Sequence, residues 1–159
     1  MSAMGLVAGL VDGFNRRDLR RLTSSYTPHA RVHLAGWHEA VDVATWLSAF
    51  QMMLESFPDL TLTPEHVASG DDVAIVEARL TGTNLGPFHL GDIDRVVLGT
   101  DAERFPPTGR AIDITGTVVF QTIGDLVLSE RHYWPLVDTL AQLGLIDTGH
   151  QGPRLVPGR

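Results

Sequence analysis

The chain has no cysteine among its 159 residues. That excludes a disulfide framework, a thiolate nucleophile and a thiolate metal site. No apolar run approaches the roughly 20 residues of a membrane-spanning helix, so no membrane partner is expected. The N-terminus lacks the basic-then-apolar order of a secretory signal, and Asp12 interrupts its apolar stretch. A cytoplasmic location is the expectation. Cations are few, 12 Lys and Arg against 19 Asp and Glu, for a formal net charge of −7. A nucleic-acid surface needs clustered cations and is not expected. The densest basic run, Arg16-Arg17 and Arg20-Arg21, reads as a solvated helix face. There is no phosphate loop, no dinucleotide glycine fingerprint, no outstanding Ser-His-Asp order, no internal repeat and no low-complexity segment.

What remains is an ordinary globular composition, 43% apolar and 19% charged. The length fits one domain with a sizeable core, taken as residues 1–146. A flexible tail over 147–159 carries Gly149, Gly152, Pro153, Pro157 and Gly158.

Along the chain, Val7, Leu10, Val11 and Phe14 recur at helical spacing. Asp18 is placed to cap a second short helix, which Thr27-Pro28 ends. Arg31 to Leu34 reads as a short strand. Residues 41–56 form a helix with Trp46 and Phe50 at i, i+4, stopped by Phe57-Pro58-Asp59. Leu60 to Thr63 alternates as a strand, and Pro64 marks an edge or a bulge. Val73 to Thr83 and Ile112 to Thr122 are strands flanking a long loop over 84–109, which has the length of a lid. Gly124-Asp125 turns the chain back into a strand from Leu126 to Trp134. Pro135 stands at a first helical position and Gly144 at a helix stop. Helices first, then antiparallel strands, then one helix make an α+β architecture.

The last strand is the most informative segment. Leu128, Glu130, His132 and Trp134 alternate onto one face. If that face points inward, an acid, an imidazole and an indole share an apolar enclosure that can move protons without a cofactor.

The ordered set Phe14-Asn15, Tyr26-Thr27-Pro28, Phe57-Pro58-Asp59-Leu60, Gly82-Thr83-Asn84-Leu85-Gly86, Pro106-Pro107-Thr108-Gly109-Arg110 and Gln142-Leu143-Gly144-Leu145 resembles the SnoaL-like polyketide cyclase family of the NTF2-like superfamily. The resemblance covers about residues 4–145. It implies a cone-shaped α+β barrel, a curved antiparallel sheet wrapped around N-terminal helices over a deep apolar pocket, in a homo-oligomer (dimer or tetramer). It also implies a small hydrophobic or aromatic substrate. In characterised cyclases of this family an inward Asp on the last strand is the acid/base. Counting back from Gln142 without gaps, His132 stands there. A second family Asp, before the last helix, is Pro135 here, and a family His on the preceding strand falls on Val118.

The expected function is therefore cofactor-independent, aldol-type ring closure of a polyketide-type intermediate. The same fold also hosts cofactor-free hydroxylation, dehydration, epoxide opening and non-catalytic ligand binding. His132 is the candidate base, since an ordinary imidazole titrates near pH 6.5. Glu130 is the second candidate. Buried, it needs a partner such as Arg79, Arg110 or His132; turned outward, it would pair with Arg131. Phe14, Trp37, Trp46, Phe50, Phe120 and Trp134 offer aromatic surface for substrate, Met53 a soft wall, and His38 a second polar group at the mouth. Asp113, Thr115 and Thr117 either hydrogen-bond substrate or form a solvent face. Tyr26 reads as a turn-packing residue more than as a donor to an enolate. His29 and His33 straddle a loop-to-strand junction, and no metal is expected.

Overall fold

The computed structural model describes residues 3–88, 104–149 and 154–156. Helix α1 (Ala3–Arg16) buries Leu6, Val7, Leu10 and Phe14 on one stripe. It ends where Arg17 adopts φ +60°. The Arg17 guanidinium donates to the carbonyls of Phe14, Asn15, Pro58 and Leu60, which ties the helix end to the 58–60 corner. Asp18 then caps α2 (Leu19–Ser24) by accepting from Arg21 N. The first strand is longer than the sequence indicates: β1 runs Tyr26–His33, starting inside the turn expected at Thr27-Pro28. Asp42 caps α3 (Val43–Ser56), and the Phe57 amide closes it.

Strands β2 (Thr61–Ser69), β3 (Val73–Thr83), β4 (Ala111–Ile123) and β5 (Leu126–Tyr133) follow. With β1 they form one sheet in the order β1-β5-β4-β3-β2. The sheet is mixed rather than wholly antiparallel, because β1 lies parallel to β5. Parallel neighbours need a long crossover, and here everything from α3 to β4 intervenes. As Pro64 foretold, β2 is an edge strand with an irregularity between Pro64 and His66. Its free edge is partly covered. The Asn15 side chain pairs with Leu62 like a strand neighbour, donating at 2.8 Å and accepting at 2.9 Å. Helix α4 (Leu136–Gln142) begins one residue later than expected, with Pro135 as its N-cap, and stops before Gly144 at φ +69°. Gln142 docks it by exchanging two hydrogen bonds with the Asp113 backbone, where β4 has no β5 partner. Near the C-terminus, β6 (Ile146–Asp147) pairs with β7 (Arg154–Leu155).

A buried amide joins the two ends of the 84–109 segment, beside backbone bonds of Asn84 with Gly109 and Arg110 and of Phe88 with Phe105. Asn84 is fully buried. Its side chain donates to Ser56 O and Gly86 O and accepts from Thr108 N and Thr108 Oγ1. Here Gly86 is required, because a Cβ on it would sit 2.0 Å from the Glu55 carbonyl oxygen. The lid assigned to this segment lies largely over 89–103, outside the described residues.

Candidate active site

The inner face of the sheet, with α1 and α3, encloses a cavity of about 310 Å3. Its wall is mostly aliphatic and aromatic. Among the described lining residues the ionisable ones are Tyr26, Glu130 and His132. Pockets of this kind, apolar with a few convergent polar groups, are the usual form of a small-molecule site.

A β-bulge sets which β5 residues reach the cavity. Gln121 pairs with Ser129 and Thr122 with Val127, so Leu128 is the extra residue. Strict alternation therefore fails at its first member. Leu128 turns outward, 44% exposed, and Val127 is buried in its stead. Beyond the bulge the alternation holds. Glu130 is 4% exposed and lies opposite Phe120, while His132 lies opposite Val118. A surface pairing of Glu130 with Arg131 is ruled out, and of the partners weighed for a buried Glu130 it is His132 that meets it. Arg79 instead pairs with Asp113 on the outer face, where Asp113 and Thr115 are exposed.

The polar groups form a chain. Trp46 Nε1 donates to Tyr26 Oη at 3.3 Å, and the Tyr26 hydroxyl donates to Glu130 Oε2. His132 Nε2 comes within 2.7 Å of Glu130 Oε1, but this close contact is not an aligned hydrogen bond, so Nε2 keeps unused hydrogen-bonding capacity. On the other side of the ring, Trp134 Nε1 donates to His132 Nδ1 at 3.2 Å. The Trp46 and His132 rings lie 5.0 Å apart at a tilt of 58°.

Tyr26 is the member that sequence reasoning undervalued. It is a buried hydrogen-bond partner of the acid, not a turn-packing residue. Sequence reasoning began the first strand at Arg31 and left Tyr26 in a turn, so it did not see that Tyr26 shares a face with Ala30 and Val32. Burial pushes the Tyr26 phenol well above its usual value, and the Glu130 charge and hydrogen bond push it further. The folded state thus favours the neutral phenol. The associated stability is fully present below about pH 10 and is lost as pH rises through the raised value. Urea unfolding above about pH 10 is expected to show a shallower alkaline loss in Tyr26→Phe than in the parent. Equal slopes would count against this account.

Trp134 reaches His132 only because β4 carries glycine at 116. A Cβ there would fall 2.2 Å from the indole Cε3. Gly116→Ala should therefore displace the ring, lower stability by about 1–3 kcal/mol through overpacking, and shift tryptophan emission to the red. An unchanged melting curve and spectrum would contradict the packing described.

Of the other expected substrate contacts, Phe14, Trp37, Trp46, Met53, Phe120 and Trp134 line the cavity. Phe50 does not. It is fully buried behind the wall, 4.5 Å from the Phe14 ring and 5.8 Å from Trp46. His38 is exposed and off the wall. His29 and His33 are likewise exposed, and among the described residues no group of three or more His, Asp or Glu is arranged to hold a metal ion.

The SnoaL-like domain profile matches residues 7–129, most of the chain. The chain belongs to the SnoaL-like family. Its fold is the NTF2-like α+β fold. IdmH, a proposed polyketide cyclase from Streptomyces antibioticus, is 25% identical with a TM-score of 0.71, over 89% of this chain and 97% of that one. A proposed SnoaL-like polyketide cyclase from Jannaschia sp. CCS1 is 23% identical with a TM-score of 0.72, over 88% and 90%. AclR, a proposed hydroxylase from Streptomyces galilaeus, is 20% identical with a TM-score of 0.72, over 89% and 94%. A search of curated protein sequences finds no match. Family membership and the neighbours point to an enzyme acting on a small molecule, and no helix among the described residues is long and apolar enough to cross a membrane.

Proposed function

We propose that this SnoaL-like protein is a cofactor-independent cyclase that closes a ring of a polyketide-type intermediate by aldol-type acid/base catalysis. One observation carries the reading. An apolar cavity of ligand size gathers Tyr26, Glu130 and His132 at a single place on its wall. Ring closure needs a group to take a carbon-bound proton, a donor for the enolate oxygen, and a dry enclosure that holds two carbonyls of one molecule together. The aromatic rings of Phe14, Trp37, Trp46 and Phe120 give a planar substrate stacking surface. Action as a homo-oligomer is part of the proposal. Ile75 and Tyr133, exposed on the outer sheet face, offer apolar surface for it.

The test is incubation with a poly-β-keto or anthraquinone-like substrate, followed by mass spectrometry with dissolved oxygen monitored. Ring closure yields an isomer or a product short by one water, with no oxygen consumed, and His132→Phe slows it by about 10²–10³-fold. A product that gains an oxygen atom while oxygen is consumed makes the protein a hydroxylase. Binding without any product leaves it a ligand-binding member of the fold.

A further inference from the structure

The hydrogen-bond chain at the cavity wall has a direction, and its two ends fix it. An indole nitrogen can only donate. Trp134 therefore requires a bare lone pair on His132 Nδ1, which leaves the imidazole proton on Nε2, beside Glu130. At the other end, Trp46 donates to Tyr26 Oη, so the phenolic proton is directed at Glu130 Oε2. The Tyr26 hydroxyl donates to the carboxylate and the Nε2 proton lies beside it without an aligned bond, so Glu130 is the terminal acceptor of the chain.

From this polarity we infer that the pair works in the reverse of the order its sequence suggests: Glu130 is the base, His132 is the hydrogen-bond acid through Nε2, and Trp134 is a positioning residue that holds His132 in that tautomer. Gly116 is the space that lets Trp134 do so. The inference rests on the proposed acid/base function and assigns the roles within it. A substrate carbonyl oxygen takes the Nε2 proton in a hydrogen bond, displacing the off-axis contact to Oε1. Oε1 is then free to accept the proton from the adjacent carbon. The C–H electron pair becomes the enolate, whose oxygen is held by Nε2–H. The enolate carbon bonds to the second carbonyl carbon, and the new alkoxide recovers the proton from Glu130. The balance is an isomerisation with nothing gained or lost. Donors already aimed at the developing oxyanion need no reorganisation as charge appears.

The experiment has two parts. Imidazole NMR of isotope-labelled protein, without any ligand, should show His132 with Nε2 protonated and Nδ1 bare. In Trp134→Phe that preference should be lost while the fold is kept. A protonated Nδ1 in the parent protein overturns the inference. The second part follows deuterium uptake at the acidic carbon of β-tetralone in heavy water. Glu130→Gln should lower the rate by about 10²–10⁴-fold, as for loss of a general base. His132→Phe should lower it by about 10²–10³-fold, as for loss of an oxyanion donor. His132→Gln, whose amide donates but cannot serve as a base, should recover much of the His132→Phe loss. If His132→Gln is as inactive as His132→Phe while Glu130→Gln stays active, His132 is the base and the inference fails. If the parent protein exchanges no deuterium into β-tetralone although its NMR shows the stated tautomer, it is the proposed chemistry that fails, not the polarity of the chain.

Discussion

Glu130→Gln is expected to leave the protein folded and to remove about 10²–10⁴ of its rate, the usual share of a general acid–base group. The substitution is close to isosteric. The amide carbonyl can still accept from the Tyr26 hydroxyl, while the amide nitrogen takes the place of Oε1 beside His132 Nε2, so the imidazole must turn slightly away from it. What disappears is the capacity to take a proton. Glu130 is 4% exposed, so a water molecule from bulk has poor access to replace it. The measurements are steady-state turnover and a thermal melt. A variant that melts with the parent and turns over slowly supports the assignment. A variant that retains full turnover removes Glu130 from the chemistry. Tyr26→Phe should have a smaller effect, because the Tyr26 hydroxyl donates to the acid and is not itself the proton acceptor.

Asn84→Ala should have the largest effect on stability. The buried Asn84 side chain makes four hydrogen bonds, and two of its partners, Thr108 N and Thr108 Oγ1, half-buried, lose their acceptor when it is cut back. Leaving a buried donor unsatisfied costs about 1–3 kcal/mol, so a total of about 3 kcal/mol is expected. For a domain of this size that corresponds to a fall in melting temperature of about 6–12 °C. Ser56 O loses less, since Leu85 N and Gly86 N still donate to it. The sequence places Asn84 inside the Gly82 to Gly86 motif, but only the structure gives the reason for it. It adds to the backbone pairing of Asn84 with Gly109 and Arg110, at a point where two loop ends meet beside the end of α3. A melting temperature within a degree or two of the parent would contradict this role.

How far the sequence carried the account depends on whether each signal was local. The helical stripe Val7, Leu10 and Phe14, the cap Asp18, the turn at Gly124 and the irregularity at Pro64 are properties of a few adjacent residues, and they were legible; the cap Asp42 was not, since the helix was read as starting at 41. The parallel pairing of β1 with β5 was not, because it joins residues about a hundred positions apart and leaves no periodic mark. Likewise the bulge at Leu128 has no glycine or proline to announce it. It moved Leu128 out of the inner face, yet Glu130 and His132 stayed in place, since the register recovers at Ser129. Tyr26 was undervalued for the same reason as β1. Its partner Glu130 is 104 residues away. Phe50 and His38 failed as cavity contacts for opposite causes. Phe50 sits too deep in the α1–α3 packing, and His38 belongs to an exposed connection between β1 and α3. Gly116 has a plain reason only when Trp134 is seen lying on it.

The central claim is that proton transfer takes place where Glu130 and His132 meet the cavity. A crystal structure with a planar polyketide-like ketone bound tests it most directly. The account predicts the carbonyl oxygen within hydrogen-bonding reach of His132 Nε2, about 2.6–3.2 Å, with its acidic carbon facing Glu130. A ligand bound with its carbonyl toward the mouth, or outside the cavity, and the Tyr26–Glu130–His132 cluster untouched, would contradict it.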